Sequence, residues 1–356
     1  MAPRRSPALL HALALVAPGQ PLREGIDRIL QAGMGGLIVI GDGPEVLNIC
    51  SGGFLLDAAF SPQRLSELAK MDGATILAGD ASRIARANVH LVPNPSVATA
   101  ETGTRHRTAE RVARSINVAV IAISQRMATV AVYVGDAKHE IEPVARTANR
   151  ANQALQTLER YKARLDSEST TLSALEVEDM VTMRDVVTVL QRAEMVGRIG
   201  EEIEGYIIEL GDDGRLALLQ LEELTGGIDL DRRLLVRDYC NEHSGVSLEA
   251  TLAALASLST EELLHLANLA EALGVPAGPE LDLGVTPRGY RLLSRVPRLP
   301  EPIIDKIVER FGSLQKVMRA TMDDLDDVEG VGETRARAIK DGLLRLAEAS
   351  ILDRYA

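Results

Sequence analysis

The sequence predicts an α/β N-terminal domain with a mixed sheet, followed by an all-α linker domain and a C-terminal domain of short helices around a glycine hairpin. Three observations predict it. Short β-branched and apolar runs alternate with helical patterns only within residues 1–146. From 147 to 285 the strand signal disappears and helical periodicity takes over. From 286 to 356 short amphipathic stretches flank the glycine-rich VEGVG (328–332). A chain of 356 residues is also too long for one comfortable core, which favours two or three domains.

In the first domain, GLIVI (36–40), ATIL (74–77), NVAVIAIS (117–124) and TVAVYVG (129–135) read as strands. The last two are only a few residues apart, so they form a hairpin and the sheet is mixed. SPQRLSELAKM (61–71) reads as a helix, with Ser61 as cap and Pro62 at the first helical position. The N-terminal MAPRRSPALLHALALVAPGQ mimics a secretory signal. Its apolar run is short and holds His11, and Leu9, Leu10, Leu13 and Val16 fall at helical spacing, as in an amphipathic first helix.

In the middle region, ANRANQALQTLERYKARL (148–165) puts Ala151, Leu155, Leu158, Tyr161 and Leu165 on one face. Residues 177–211 read as one long helix, and AGPELDLGVTPRG (277–289) as a connecting segment. No cluster of catalytic residue types appears there. The last region carries thirteen basic against twelve acidic residues, a slight excess beside the chain's net −12. Any anion binding there must come from local placement.

Aromatics are 3% and Trp is absent, so the cores are aliphatic. Two cysteines, Cys50 and Cys240, exclude a disulfide framework and suit a reducing compartment. No segment approaches the roughly 18–20 apolar residues of a membrane span. A cytoplasmic protein with no membrane partner is expected.

The chemistry centres on ETGTRHRTAE (101–110), where Thr104, Arg105, His106, Arg107 and Thr108 gather cations and hydroxyls in an acidic chain. Two arginines can fork around phosphate oxygens, and hydroxyls add donors. Alone, such a stretch equally describes a solvated turn. A second segment, KMDGATIL (70–77), places Asp72 and Gly73 between a helix and a strand. Asp-Gly is a turn signal, but an acid there can also hold a divalent metal or receive a proton. A carboxylate and a cationic loop are the two parts that nucleotidyl transfer needs. Neither GxxxxGK[ST] nor GxGxxG is present, and GMGG (33–36) and GDG (41–43) are too short to count.

The order DGA (72–74), ANVHLVPNPS (87–96), GTRHRTAER (103–111) and AISQR (122–126) resembles the diadenylate cyclase family. The resemblance extends over essentially the whole chain, to those family members that carry a C-terminal helix-hairpin-helix module. It implies that two ATP condense to cyclic di-AMP with release of two pyrophosphates, each 3′-hydroxyl attacking the partner's α-phosphate across facing subunits. It implies Mg²⁺ or Mn²⁺ at Asp72, which would promote that attack, with Arg105 at the phosphates. ATP contacts would come from Gly73, Ala74 and Leu91, with Gly73 and Leu91 meeting the nucleoside largely through backbone. Thr104, Arg105, His106, Arg107 and Thr108 would hold the phosphates, with Ser124 nearby. His106 is open between a phosphate ligand and a neutral structural hydrogen-bonder. The family's octamer of two head-to-head rings is implied as well, and ring closure needs at least two facing sites on chemical grounds.

LDDVEGVGETRARAIKDGLLRL (325–346) reads as helix, tight turn, helix, and Val328, Gly330, Val331 and Gly332 match the hairpin of the helix-hairpin-helix motif. Glycines let backbone approach a phosphate, and the next helix presents its amides to the same anion. Thr334, Arg335, Arg337 and Lys340 can add contacts to DNA, which by the resemblance would be branched. Upstream, VPRLPEPIIDKIVERFGSL (296–314) has prolines in place of glycines and is expected to pack as a non-binding pseudo-repeat. The expected regions are thus a cyclase domain at 1–146, a helical linker and assembly domain at 147–285, and a helix-hairpin-helix DNA-binding domain at 286–356. Branched or damaged DNA would regulate synthesis, and the protein would associate with the nucleoid. The competing readings are a non-catalytic DNA-repair accessory protein and a nuclease or nucleotidyltransferase with helix-hairpin-helix targeting, although a nuclease normally shows several clustered carboxylates.

Overall fold

The computed structural model describes residues 5–240, 247–275 and 279–355. The chain divides into two compact units, one of residues 2–155 with 202–221, the other of 156–201 with 222–356. The helical stretch 147–285 contributes to both.

The first unit holds an eight-stranded sheet among the described residues. Its strands are β1 Gly36–Ile40, β2 Cys50–Ser51, β3 Phe54–Ala59, β4 Ala74–Leu77, β5 Arg83–Leu91, β6 Ala119–Ser124, β7 Thr129–Val134 and β8 Ala137–Glu140. The order is β2-β5-β4-β1-β6-β7-β8, with β3 also paired to β5. Only β1 and β4 are parallel; the sheet is mixed, and β6–β7 is the expected hairpin, with Ser124 opposite Thr129. Alternation along β1 sends Ile38 and Ile40 to one face, and Leu37 and Val39 to the other. Both faces are covered, as a buried parallel pair requires. Helices α1 Pro7–Leu15, α2 Pro21–Gln31 and α4 Pro62–Leu68 pack on the first face; α3 Pro44–Asn48 and α5 Thr104–Ile116 pack on the second. Leu9 and Leu13 of α1 are in that core, so the apolar N-terminal run is a structural helix.

Two sequence expectations change here. TRHRT is not a loop but the first turn of α5, because Gly103 caps the helix and the Arg107 amide already donates to Gly103 O at 2.9 Å. The pattern at 177–211 is two helices. α6 runs Val144–Glu178 and α7 Met183–Leu210, separated by Asp179 in a left-handed conformation and restarted where Asp185 bonds back to the Thr182 amide. That bond is a helix cap written with aspartate.

The remaining helices are α8 Arg215–Thr225, α9 Ile228–Tyr239, α10 Leu248–Ser257, α11 Thr260–Leu263, α12 Leu266–Ala272, α13 Tyr290–Ser294, α14 Glu301–Phe311, α15 Leu314–Arg319, α16 Met322–Asp326 and α17 Glu333–Tyr355. Residues 277 and 278 of the expected connecting segment lie outside the described residues. α13 to α17 share one aliphatic core of Leu293, Val296, Ile304, Ile307, Leu325, Val328, Ile339 and neighbours. Among the described residues no helix is long and apolar enough to cross a membrane.

In the second unit, a buried polar cluster ties α6 and α9 to α13. Arg291 donates to Glu176 through Nε at 3.1 Å and Nη2 at 2.5 Å, with both side chains about 1% exposed. Tyr239 OH donates to the same carboxylate at 2.7 Å. Asp238 accepts from the amides of Gly289, Tyr290 and Arg291 at 2.7–2.8 Å, capping the short α13.

Candidate active site and nucleic-acid interface

The strand directions collect the first-domain candidates at one edge of the sheet. Asp72 and Gly73 precede β4, and Leu91 and Ser124 end β5 and β6, which run antiparallel to β4 and β1. This is the edge where the parallel pair β1–β4 begins, the reverse of the carboxyl-end rule of doubly wound sheets.

The α5 N-terminus lies at the same edge. Arg105 Nη2 donates to Asp72 Oδ1 at 2.7 Å. Its guanidinium lies over Gly35, where a Cβ would fall 2.6 Å from Nη1 and 3.0 Å from Ile123 O. Within GMGG, Gly35 therefore makes room for the arginine. Gly73 is required in the same way, for a Cβ there would lie 2.4 Å from the Asn88 carbonyl carbon. Asn88 itself sits at φ +53 in the irregular stretch of β5.

Asp72 is 94% exposed and fully open to a ligand. Ala74 and Leu91 are buried, so they bound the site through backbone and packing. The Thr104, Arg105 and His106 amides open α5 without intrahelical acceptors and, with the helix dipole, favour an anion. Arg107 is exposed beside them. The Thr108 hydroxyl turns back to donate to Thr104 O at 3.0 Å, and Ser124 Oγ accepts the Met127 amide at 3.3 Å within the β6–β7 turn.

His106 is half-buried, with its ring edge-on to Tyr133 at 6.3 Å. Burial holds its imidazole below the usual histidine range, ahead of the opposing charge of Glu101. Its neutral form is favoured. Glu101 accepts from Tyr133 OH at 2.9 Å and pairs with Lys138 at 2.8 Å; the Lys138 bond is the main cause of its lowered pKa. Glu101 was not among the sequence candidates, although it stands in the same ten-residue stretch. Burial and the Glu101 bond push the Tyr133 hydroxyl well up, so it stays a donor.

At the second candidate site, Gly330 takes φ +88, and a Cβ would strike Ile303 Cδ1 at 2.6 Å. Val331 is buried and its amide donates to Val328 O at 2.9 Å, so it shapes the hairpin from within. Gly332 and Thr334 are exposed at the start of α17. Arg335 Nη1 donates to Gly330 O at 2.5 Å, Arg337 pairs with Glu333 at 3.1 Å, and Lys340 Nζ donates to Met318 O at 2.8 Å. Lys340 is thus directed into the module, whereas Arg335 is held at the hairpin.

Comparison with known proteins adds three family matches: "DisA bacterial checkpoint controller nucleotide-binding" over residues 23–138, "DisA bacterial checkpoint controller linker region" over 141–281, and "Helix-hairpin-helix motif" over 313–342. The chain is 54% identical to the DNA integrity scanning protein DisA of Frankia alni, over 96% of each chain. It is 54% identical to that of Kineococcus radiotolerans over 99% of each. With that of Streptomyces coelicolor it shares 53% over 97% of this chain and 93% of the relative. A lesser likeness, at 19% identity and TM-score 0.29 over 38% of this chain and 87% of that one, is to the solved structure of DacA from Staphylococcus aureus.

Proposed function

The chain belongs to the family of DNA integrity scanning proteins, and on that premise we propose that it condenses two ATP into cyclic di-AMP and two pyrophosphates. The observation that carries this reading is the meeting of Asp72, Arg105 and the α5 amides at one sheet edge. One triphosphate carries about four negative charges, and two guanidinium groups with three free amides supply the donors its departing pyrophosphate needs.

Asp72 has the role of orienting the 3′-hydroxyl and receiving its proton. Arg105 bridges Asp72 and the phosphates, and Arg107 adds charge at the pyrophosphate. His106, neutral and braced by Tyr133, donates or accepts without adding charge. Gly73, Ala74 and Leu91 bound the nucleoside, and Ser124 lies near the phosphates. The site offers one open carboxylate and no group of three or more metal-ligating side chains is found among the described residues. That donor set fits Mg²⁺ or Mn²⁺ carried on the nucleotide phosphates and held by Asp72. When bound, such an ion would polarise the phosphoryl oxygens. One chain supplies one Asp72, so each hydroxyl attacks the α-phosphate held by a facing subunit. The bond to O3′ forms as the bond to pyrophosphate breaks, once per subunit. A homo-octamer with paired sites satisfies this.

The hairpin at 328–332 binds DNA through its backbone, preferring branched structures, and occupancy lowers cyclase output. The regions 1–146, 147–285 and 286–356 serve as cyclase, linker and DNA-binding module of a cytoplasmic, nucleoid-associated protein. The test is incubation with ATP and Mg²⁺ or Mn²⁺, with products identified by mass spectrometry beside Asp72→Asn. Cyclic di-AMP from the wild type, lost in the variant, is expected. No product with either metal would leave a non-catalytic DNA-repair accessory protein as the better reading.

A further inference from the structure

The C-terminal module is built twice. α13, its turn and α14 recur 32 residues later as α16, its turn and α17: Tyr290 stands against Met322, Ser294 against Asp326, Glu301 against Glu333. The buried positions match, with Leu293, Val296 and Ile307 against Leu325, Val328 and Ile339. So do the turn bonds, Leu299 N to Val296 O and Val331 N to Val328 O. The halves also pack reciprocally. Val296 lies against Gly342 of α17, and Arg310 of α14 reaches Asp327. The prolines of the first hairpin therefore do not change its path.

At the Gly330 position this first hairpin has Arg298, at φ +62 against φ +88. Seven non-glycine residues among those described hold a positive φ, and Arg298 is the only cation among them. A glycine would take this conformation without steric cost. Arg298 is exposed, and no hydrogen-bond or ion-pair partner is found for it among the described residues. Pro300 and Pro302 remove two of the amides that a phosphate would meet in the second hairpin. Pro297 stands where the second hairpin has the acidic Glu329. The nearest acid on the following helix, Glu301, is paired with Arg237 at 2.8 Å. The first hairpin has thus lost backbone donors and gained a free guanidinium at its tip.

We infer that Arg298 makes the first hairpin a second DNA-backbone contact, in which a side-chain fork does the work that amides do at Gly330–Gly332. The inference rests on the DNA-binding reading of the second hairpin. Binding of the full chain to a labelled four-way junction and a labelled linear duplex is measured by anisotropy over a range of NaCl. Arg298→Gly and Arg298→Gln run beside the wild type. Both variants should bind on the order of tenfold more weakly. Both should show a salt slope shallower by about one. Arg298→Gly should melt no lower than the wild type, since glycine fits the backbone there, and that separates lost binding from lost folding. Either variant binding with wild-type affinity and slope overturns the inference while the second-hairpin reading stands. A wild type that binds neither DNA at low salt overturns both.

Discussion

The carboxylate of Asp72 and the guanidinium of Arg105 are 2.7 Å apart, on segments 33 positions apart in sequence. The pair is solvent-exposed, so it adds at most about 1 kcal/mol to stability. Asp72→Asn should therefore leave the melting temperature within a few degrees while cyclic product falls by at least 100-fold, an order of magnitude typical of lost acid–base groups. A variant that turns over normally would remove Asp72 from the reaction, and one that unfolds would overturn the expectation that the exposed pair adds little to stability.

Gly35 tests the placement of Arg105 without touching its charge. A methyl group at Gly35 would fall 2.6 Å from Nη1, so Gly35→Ala must displace the guanidinium. ATP affinity and turnover should drop together by roughly 10–100-fold, as a misplacement of about 1 Å does. An unchanged kcat/KM for ATP would show that Arg105 is not needed where it stands.

Burial lowers the pKa of His106 in the folded chain. The unfolded chain takes up this proton before the folded one does, so the stability linked to His106 is complete above about pH 6.5 and falls as the pH drops below it. Ring NMR of the histidine-labelled chain, with His106→Gln for assignment, should place its titration below 6.5. A midpoint above that value would favour a charged phosphate ligand.

Breaking the Arg291–Glu176 pair leaves a carboxylate buried and uncompensated. Arg291→Met should destabilise the second unit by about 3–5 kcal/mol. Glu176→Gln with Arg291→Met should recover part of that loss. Urea unfolding of the three chains decides, and a double variant as weak as the single would assign the effect to packing.

Burial, then the charge of Glu176, pushes Asp238 up to about 7 against the three amides that oppose it. The folded chain keeps this proton to higher pH than the unfolded chain does. The linked stability is therefore full below about pH 4 and is lost as the pH rises through 7. Urea midpoints at pH 5 and pH 8 should differ more in the wild type than in Asp238→Asn. Equal differences would show that Asp238 is ionised throughout.

The strands that were legible in the sequence are those with a core face: β1, β4, β6 and β7 are runs of Ile, Val, Leu and Ala buried on both sides. β3 was not, because FLLDAA is mostly exposed and touches the sheet only through β5. β5 is less legible because, although residues 85–91 alternate buried and open, Arg86, Asn88 and His90 on the open side and the small Ala85 and Ala87 on the buried side leave no β-branched or large apolar run before Val89. Of the site, residue types and spacing made Asp72 and the TRHRT run visible. The packing of Gly35 against Arg105 and the bracing of Tyr133 by Glu101 were not, since both join segments distant in sequence and have no motif of their own.

The matched spacing of first helix, turn and second-helix start in the two C-terminal halves limits how each can vary. The two halves close over one shared aliphatic core, so an insertion in either turn would lift its hairpin off the opposite helix. A repeat packed in that way is barred from changing its turn length, yet remains free to change side chains. Arg298 and Pro300 stand where the other hairpin has Gly330 and Gly332, and the shared core is undisturbed. The repeat is therefore carried by geometry, not by shared residues: backbone path and buried positions recur where the side chains at the turn do not.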